Sequence, residues 1–366
     1  MKRSVKITLF LTILLQAIVC SATPSPYASN TYDDKHSFEV SESKSSEPFD
    51  RLIVFGDSLS DTGNLYKRFL EIFPMSPPYF EGHFSNGPVW IDFIAKKYNI
   101  PSEAVYNYAF GGARAVQATL PLPGLESQVD KYIATSNNQA NAKSLYVIWI
   151  GANDIVFDKQ AGVTPDPAKM SQVITAQIEK LEQIGAKNFL ILDLPNLGFS
   201  PEAFATDKDN ENTEYSQKLQ KISQEFNSLL ITSLQATSQK YQDLTLLSFD
   251  TYTFLEGAIN NAQNFGITNT KDRCNPNWYA TPLKPVCDKP EEYIFWDAVH
   301  PTSRAHEILA DAVSIKMQET GYSFITEWNL TEEDKNVSKS HNEAIAGLME
   351  ENISETVKKA IFDIFH

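Results

Sequence analysis

Positive charge is in short supply in this sequence. Its 366 residues include 31 lysines and arginines against 46 aspartates and glutamates, which gives a formal net charge of −15 at pH 7. An acidic surface repels the phosphates of nucleic acids and the headgroups of anionic lipids. The composition therefore argues against a nucleic-acid partner and against electrostatic binding to a membrane. It does not exclude a lipid substrate that is held through apolar contacts.

Long apolar runs are also missing, apart from one near the amino terminus. Residues 7–19 are mostly apolar, follow a basic start and precede two small residues. This pattern is typical of a secretory signal peptide and is too short for a membrane span. We therefore expect residues 1–22 to be removed on export and the product to be secreted. A lipoprotein anchored through Cys20 is the alternative, but Val19 is bulky where such sites need a small residue.

The rest of the chain divides by composition, and no internal repeat is visible. Residues 23–47 are expected to form a disordered leader, because so few apolar side chains cannot offset the entropy of ordering the backbone. Residues 48–322 are long enough for one large domain with a full core. Residues 323–366 form a C-terminal extension with apolar positions on one helical face. Since the opposite face is acidic, docking on the domain is favoured over contact with a membrane surface.

Cysteine is scarce, with three residues in the whole chain. Because Cys20 is expected to leave with the signal peptide, Cys274 and Cys287 remain as a pair in an exported protein. A disulfide is the default expectation there. Metal binding by the two thiols is the alternative, but no cluster of cysteine and histidine accompanies them. We expect no metal site.

A candidate nucleophile lies in the stretch R-L-I-V-F-G-D-S-L-S-D-T-G-N, residues 51–64. Its apolar start predicts a strand buried on both faces, and Gly56 and Asp57 break that strand just before Ser58. A serine at such a break is exposed, and the N–H groups of a nearby helix start can hold a developing oxyanion. The alternative is that Asp57 or Ser58 only caps a helix.

A candidate base and its carboxylate partner lie near the other end of the chain. Asp297 precedes His300 by three residues, just before a helical stretch that opens at Thr302. Serine catalysis needs a base for the hydroxyl proton and a carboxylate that holds the base in the right tautomer. Asp297 and His300 can therefore face Ser58 together from one short loop. His306 has no ligand partners in the sequence and is expected on the surface of the following helix.

Four blocks, in order, resemble the GDSL lipase/esterase family, also called SGNH hydrolases. They are F-G-D-S-L-S-D-T-G-N, N-Y-A-F-G-G-A-R at 107–114, I-G-A-N-D at 150–154 and D-A-V-H-P-T at 297–302. The resemblance implies a catalytic triad of Ser58, Asp297 and His300. It also implies an oxyanion hole made of the N–H groups of Ser58 and Gly112 and the side chain of Asn153. No cofactor is implied.

Buried strands alternate with amphipathic helices along the chain, which predicts a parallel sheet with helices on both sides. The family resemblance implies a three-layer α/β/α sandwich with a mostly parallel, five-stranded, flavodoxin-like sheet. Strands are predicted at residues 52–55, 105–109, 145–150, 189–192 and 244–249. Helices are predicted from residue 85, over 127–135, 167–185 and 212–241, and from residue 302.

The substrate class is less constrained, and three features favour a lipid. The chain carries an export signal, the stretch from Ser58 to Gly87 is rich in aromatic residues, and its motifs resemble the branch of bacterial phospholipases and glycerophospholipid:cholesterol acyltransferases. We therefore expect a phospholipase A or lysophospholipase that contacts membrane surfaces transiently, and acyl transfer to a sterol stays open. A carbohydrate or short-chain carboxylesterase is the alternative. A non-catalytic exported binding protein is disfavoured, because every catalytic position is filled.

The loop between Cys274 and Cys287 is a candidate lid. It is rich in proline, and Cys287 lies ten residues before Asp297. Exposed loop tips of this kind are preferred sites of proteolytic nicking. An activating protease that cuts the loop is therefore a candidate partner.

Overall fold

The computed structural model describes residues 47–116, 122–157, 164–211, 213–277 and 284–328, with short pieces at 330–332, 335–336, 338–340 and 343. The expected signal peptide, all of the expected leader except its last residue and most of the C-terminal apolar stripe lie outside the described residues. The centre of the disulfide loop, residues 278–283, also lies outside them. Within the described ranges, no helix combines the length and the apolar character needed to cross a membrane.

Five parallel strands form the central sheet. They are β1 (Arg51–Gly56), β2 (Val105–Asn107), β3 (Ser144–Trp149), β4 (Asn188–Leu192) and β5 (Thr245–Phe249), arranged in the order β2-β1-β3-β4-β5. Val54 of β1 pairs with Asn107 on one side and with Val147 on the other. All five strands lie where the apolar runs predicted them, which confirms the parallel sheet.

Helices cover both faces of this sheet. They are α1 (Asn64–Arg68), α2 (Trp90–Lys97), α3 (Leu125–Thr135), α4 (Ala152–Val156), α5 (Pro167–Glu182), α6 (Pro201–Asp209), α7 (Glu214–Lys240), α8 (Thr251–Asn260) and α9 (Ser303–Glu319). Successive strand residues point to opposite faces. Phe55 accordingly meets Tyr132 of α3 edge-to-face at 5.9 Å on one face, while Trp149 meets Trp90 of α2 at 5.7 Å on the other. The three-layer α/β/α arrangement is confirmed.

The helix predicted from residue 85 begins later than expected. Its first residue is Trp90, and the carboxylate of Asp92 accepts the N–H of Val89 at its start. Ser85 and Asn86, which look like capping residues in the sequence, bond elsewhere. The Ser85 hydroxyl donates to the carbonyl of Pro301 at 2.9 Å, and the Asn86 side chain accepts the N–H of Ser303 at 2.8 Å. These polar residues therefore fasten the loop that carries His300.

Helices α6 and α8, like the short α1 and α4, are not among the helices predicted from the sequence. Ser200 caps α6 by accepting the N–H of Ala203, and Pro201 stands at the first helical position, where its missing N–H costs nothing. Asp250 caps α8 by accepting the N–H of Thr253 at 2.7 Å. Both helices are short, and the apolar periodicity of α6 is weak, so the cap at Ser200 was its available signal.

A small parallel pair of strands leads into the D-x-x-H block. β6 (Asn269–Arg273) pairs with β7 (Tyr293–Phe295). Cys274 and Cys287 form a disulfide with their Cα atoms 4.9 Å apart. The N–H of Cys274 donates to the carbonyl of Phe295 at 3.1 Å. The disulfide therefore braces the strand that ends just before Asp297.

Candidate active site

Ser58 lies in a turn at the carboxyl end of β1. Residues 57–63 form turns and α1 begins only at Asn64, so the helix start expected at Ser58 is not there. The carboxylate of Asp57 accepts the N–H of Leu59 at 3.0 Å and fixes the turn. A Cβ on Gly56 would approach the carbonyl oxygen of Trp149 to 2.6 Å, so only glycine fits immediately before the turn.

Ser58, His300 and Asp297 form a continuous hydrogen-bonded chain. Ser58 Oγ lies 2.8 Å from His300 Nε2, and His300 Nδ1 lies 2.8 Å from Asp297 Oδ2. Because the Asp297 carboxylate faces Nδ1, that nitrogen carries the imidazole proton and Nε2 accepts the hydroxyl of Ser58. Asp297 is fully buried and also accepts the N–H groups of Val299 at 2.9 Å and His300 at 2.8 Å.

One tight loop delivers both Asp297 and His300. The N–H of Trp296 donates to the carbonyl of His300 at 2.8 Å, which closes the loop at its base. Thr302 then caps α9 by accepting the N–H of Ala305. Residues three apart in such a loop lie on the same side, so the spacing in the sequence is enough to bring the two side chains together.

Gly112 follows β2 and Asn153 follows β3, the two strands that flank β1 in the sheet. Asn153 follows Gly151, whose φ of +125° turns the chain sharply out of β3. Its amide Nδ2 donates one hydrogen to the carbonyl of Ala113 at 2.8 Å, and the same nitrogen carries a second hydrogen. Gly112 has a left-handed φ of +77° and precedes Ala113 directly. The glycine block and the asparagine block are therefore joined by a hydrogen bond.

An apolar pocket opens on Ser58. Ser58, Asn153 and His300 stand in its wall. Most of the remaining wall is apolar. Its side chains come from α4, α8, α9 and β7 and from the 3-10 turn at Leu197–Phe199, and they include Val156, Leu197, Phe254, Leu255, Phe295 and Leu309. Among the described residues, no group of three or more histidines, cysteines or acids is placed to hold a metal. The arrangement offers a serine hydroxyl, a base and amide donors beside a site for an apolar chain.

The family model that describes the GDSL-like lipase/acylhydrolases matches residues 52–313, from the first strand to within α9. The chain belongs to this family. The match includes all four motif blocks and the whole central sheet.

Relatives of this GDSL-family chain include bacterial proteins. Thermolabile hemolysin of Vibrio parahaemolyticus is 30% identical over 278 residues, which cover 72% of this chain and 63% of that protein. Phosphatidylcholine-sterol acyltransferase of Aeromonas hydrophila is 26% identical over 336 residues, covering 78% of this chain and 95% of the relative. The secreted effector protein SseJ of Salmonella typhimurium is 26% identical over 268 residues, which cover 71% of this chain and 62% of SseJ. The chain thus spans less than two thirds of the length of the hemolysin and of SseJ.

Tyr79 belongs to this GDSL-family site but was not foreseen. Its hydroxyl donates to Asp297 Oδ2 at 2.7 Å, and its ring meets Trp296 edge-to-face at 6.2 Å. Asp297 therefore accepts from Tyr79 as well as from His300. No local sequence pattern could reveal this contact, because 218 positions separate the two residues.

Asp61 ties the nucleophile turn to the glycine block. Its carboxylate accepts four backbone N–H groups, at 2.6 to 3.0 Å, from Gly63, Asn64, Leu65 and Gly111. A carboxylate near the start of α1 is favoured by the helix dipole, so Asp61, two residues before the N-cap Gly63, serves the first N–H groups of the helix in place of Asp57 or Ser58. The first block, G-D-S-L-S-D-T-G, could have predicted this role, since an aspartate two residues before glycine can close such a turn through its side chain.

The expected surface position of His306 is wrong. The residue is 1% exposed, and neither ring nitrogen has a hydrogen-bond partner within the described residues. Burial lowers the pKa of His306 to about 3. The helical periodicity of α9 could have revealed this, because His306 shares a face with the buried Leu309 and Val313.

Asp57 is a second buried ionisable group, next to Ser58 in the chain. Burial raises the pKa of Asp57 to about 7, with smaller contributions from the charges of Asp154 and Asp61. Its Oδ2 atom has no hydrogen-bond partner among the described residues. The neutral form of this carboxyl group is therefore the major one as the pH falls below about 7, and in that form it does not oppose negative charge that develops near Ser58.

Proposed function

We propose that this protein is an exported serine ester hydrolase that acts on phospholipids or lysophospholipids. The observation that carries the proposal is the chain of hydrogen bonds from Ser58 through His300 to Asp297, at 2.8 Å each, beside an apolar pocket. The family membership supports ester chemistry. Export is supported by the pattern of residues 1–22 and by a relative that is named a secreted effector.

The mechanism follows from the geometry. His300 Nε2 takes the Ser58 proton as Oγ attacks the ester carbonyl, and Asp297 stabilises the imidazolium that forms. The N–H groups of Ser58 and Gly112 and the second Asn153 hydrogen bind the oxyanion. His300 then protonates the leaving alcohol, which leaves an acyl group on Ser58. Water, or another alcohol, attacks this ester in a second round of the same steps.

The wall of the pocket supports a substrate with an acyl chain. A largely apolar site stabilises methylene groups by about 0.8 kcal/mol each, whereas a sugar needs several polar partners. A relative named phosphatidylcholine-sterol acyltransferase, aligned over 95% of its length, supports both the lipid substrate and a sterol as a possible acyl acceptor. A short-chain or carbohydrate esterase is the second candidate, supported by the family alone.

The proposal is tested by fatty-acid release from phosphatidylcholine and lysophosphatidylcholine vesicles, with and without cholesterol. The wild-type protein should release fatty acid, and Ser58→Ala should lower the rate by about 10⁴-fold or more, since the triad acts as a unit. Asn153→Ala should lower it by about 10²- to 10³-fold, the usual effect of losing one oxyanion donor.

Each alternative has its own outcome in this assay. Cholesteryl ester formed at the expense of free fatty acid would make the protein a transferase as well as a hydrolase. If the protein cleaves p-nitrophenyl acetate or an acetylated sugar and leaves both lipids intact, the lipid assignment is wrong and the triad stands. If Ser58→Ala keeps full activity, the proposed nucleophile is wrong.

A further inference from the structure

Residues 69–78, between α1 and Tyr79, expose three large apolar side chains. Leu70 is 78% exposed, Ile72 71% and Met75 40%. We call these three residues the apolar tip. Throughout the described part of the chain, no other large apolar side chain is exposed to this degree. Single exposed apolar residues are common on protein surfaces, but three within six positions form a patch that indicates an interaction.

The backbone holds the apolar tip outward. The N–H of Glu71 donates to the carbonyl of Tyr66 at 2.8 Å, and the N–H of Ile72 donates to that of Phe69 at 3.1 Å. Leu70 has a φ of +53° and Glu71 a φ of +63°, a left-handed conformation that is unfavourable for a side chain as bulky as leucine. Such a conformation persists only where the surrounding contacts impose it. The exposure is therefore built into the turn.

Aromatic contacts connect the apolar tip to the catalytic histidine. Phe73, between Ile72 and Met75 in the sequence, meets Phe84 edge-to-face at 6.0 Å. Phe84 in turn lies against the ring of His300 at 5.0 Å. Tyr79, four residues after Met75, donates its hydrogen bond to Asp297. The apolar tip thus projects from the same packed segment that supports the triad.

We infer that the apolar tip inserts into the surface of a zwitterionic phospholipid layer and so holds the protein at the surface of its substrate. The inference rests on the proposed lipid substrate and names the contact surface. A net charge of −15 makes attraction to anionic lipid unfavourable, so apolar insertion has to provide the binding. Lys67, exposed in the last turn of α1, lies three residues before Leu70, where a cation can meet lipid phosphates.

Vesicle binding tests the inference without any need for turnover. The Ser58→Ala protein, which cannot consume the lipid, is sedimented with phosphatidylcholine vesicles, alone and with Leu70→Ser plus Ile72→Ser added. Loss of the two side chains should lower the partition coefficient at least tenfold. Glu71→Ser is the matched control in the same turn, and it should bind as well as the parent or better. Ile72→Ser alone should give an intermediate loss.

Activity measurements separate this inference from the proposed function. In the wild-type background, Leu70→Ser plus Ile72→Ser should hydrolyse soluble p-nitrophenyl butyrate at the parent rate and vesicle lipid at least tenfold more slowly. If no lipid is hydrolysed but vesicle binding still depends on the apolar tip, the substrate assignment fails and the docking surface stands. The inference is overturned if the parent does not bind vesicles or if Glu71→Ser lowers binding equally. It is also overturned if the apolar tip instead holds together a dimer in sedimentation velocity.

Discussion

At the scale of single residues, His306 is the clearest case of a group whose environment changes its chemistry. Its imidazole is buried without a polar partner among the described residues, and its pKa is lowered by burial and, to a smaller extent, by His300 and His83. Below about pH 6.5 His306 binds a proton in the unfolded chain, whereas in the folded state it stays neutral down to about pH 3. The folded state therefore loses stability as the pH falls from 6.5 toward 3.

Replacing His306 with leucine should remove this acid sensitivity. Between pH 7.5 and pH 5 the wild-type protein should lose about 2 kcal/mol more unfolding free energy than His306→Leu, because one pKa unit corresponds to about 1.4 kcal/mol. Chemical denaturation at the two pH values measures the difference. An equal loss of unfolding free energy in the wild type and in His306→Leu would show that His306 is not held neutral by burial.

His83 is a control because its pKa is shifted in the opposite direction from that of His306. Burial alone would lower the pKa of His83, but Asp92, 3.2 Å away, outweighs burial and raises it. Its contribution to stability is present below pH 6.5 and is lost as the pH rises through the raised pKa. His83→Gln should therefore destabilise the protein more at pH 5 than at pH 8.

The residues that could be recognised in the sequence are those within short motifs. Ser58, Asp297 and His300 could be proposed as a triad because the strand break and the D-x-x-H spacing are local patterns. Tyr79 and His306 were missed for different reasons. The bond from Tyr79 to Asp297 joins distant parts of the chain, while His306 was placed by its lack of ligands although its helical position predicted burial.

At the scale of elements, the segment from α1 to Phe84 supports the triad from the side. Phe84 lies against the ring of His300 at 5.0 Å, and Tyr79 makes the hydrogen bond, at 2.7 Å to Asp297. A hydrogen bond to a charged group contributes about 1.5–3 kcal/mol. Loss of this bond leaves Asp297 less well held and less able to stabilise the imidazolium.

Tyr79→Phe should therefore lower kcat by roughly tenfold or more and leave KM nearly unchanged, since the ring and the pocket stay in place. Steady-state kinetics with p-nitrophenyl butyrate gives both constants. Tyr98→Phe is the matched control, because its hydroxyl lies 3.5 Å from the carbonyl of Ser314 and forms a weak bond at most. An equal loss in the two variants would show that Tyr79 does not act on the triad.

Strands β1, β3 and β4 could be predicted because each contains a continuous apolar run, whereas β2 includes Asn107 and β5 includes Ser248. Their order in the sheet does not follow from the runs, since it depends on which helices pack over which face. The sequence did not predict β6, because its residues are polar and three of the five are exposed. Ser85 and Asn86 carried a misleading signal, since side chains that can cap a helix can also bond a distant loop.

At the scale of the whole molecule, the net negative charge and the apolar surface have opposite effects on lipid binding. The net charge of −15 opposes binding to anionic surfaces, whereas the pocket and the apolar tip offer apolar contacts. Binding to zwitterionic lipid through these contacts should depend little on salt, because the hydrophobic contribution is not screened.

The central claim is that Ser58 is the nucleophile of a site that accepts a long acyl chain. Labelling with a fluorophosphonate that carries a long alkyl chain, followed by peptide mass spectrometry, tests it most directly. Ser58 Oγ displaces fluoride only when His300 takes its proton, so one adduct on Ser58 is expected. The adduct should be absent in Ser58→Ala, greatly slowed in His300→Gln, and slowed in the wild type by added phosphatidylcholine vesicles. An adduct on another residue, or labelling that persists in Ser58→Ala, would contradict the account.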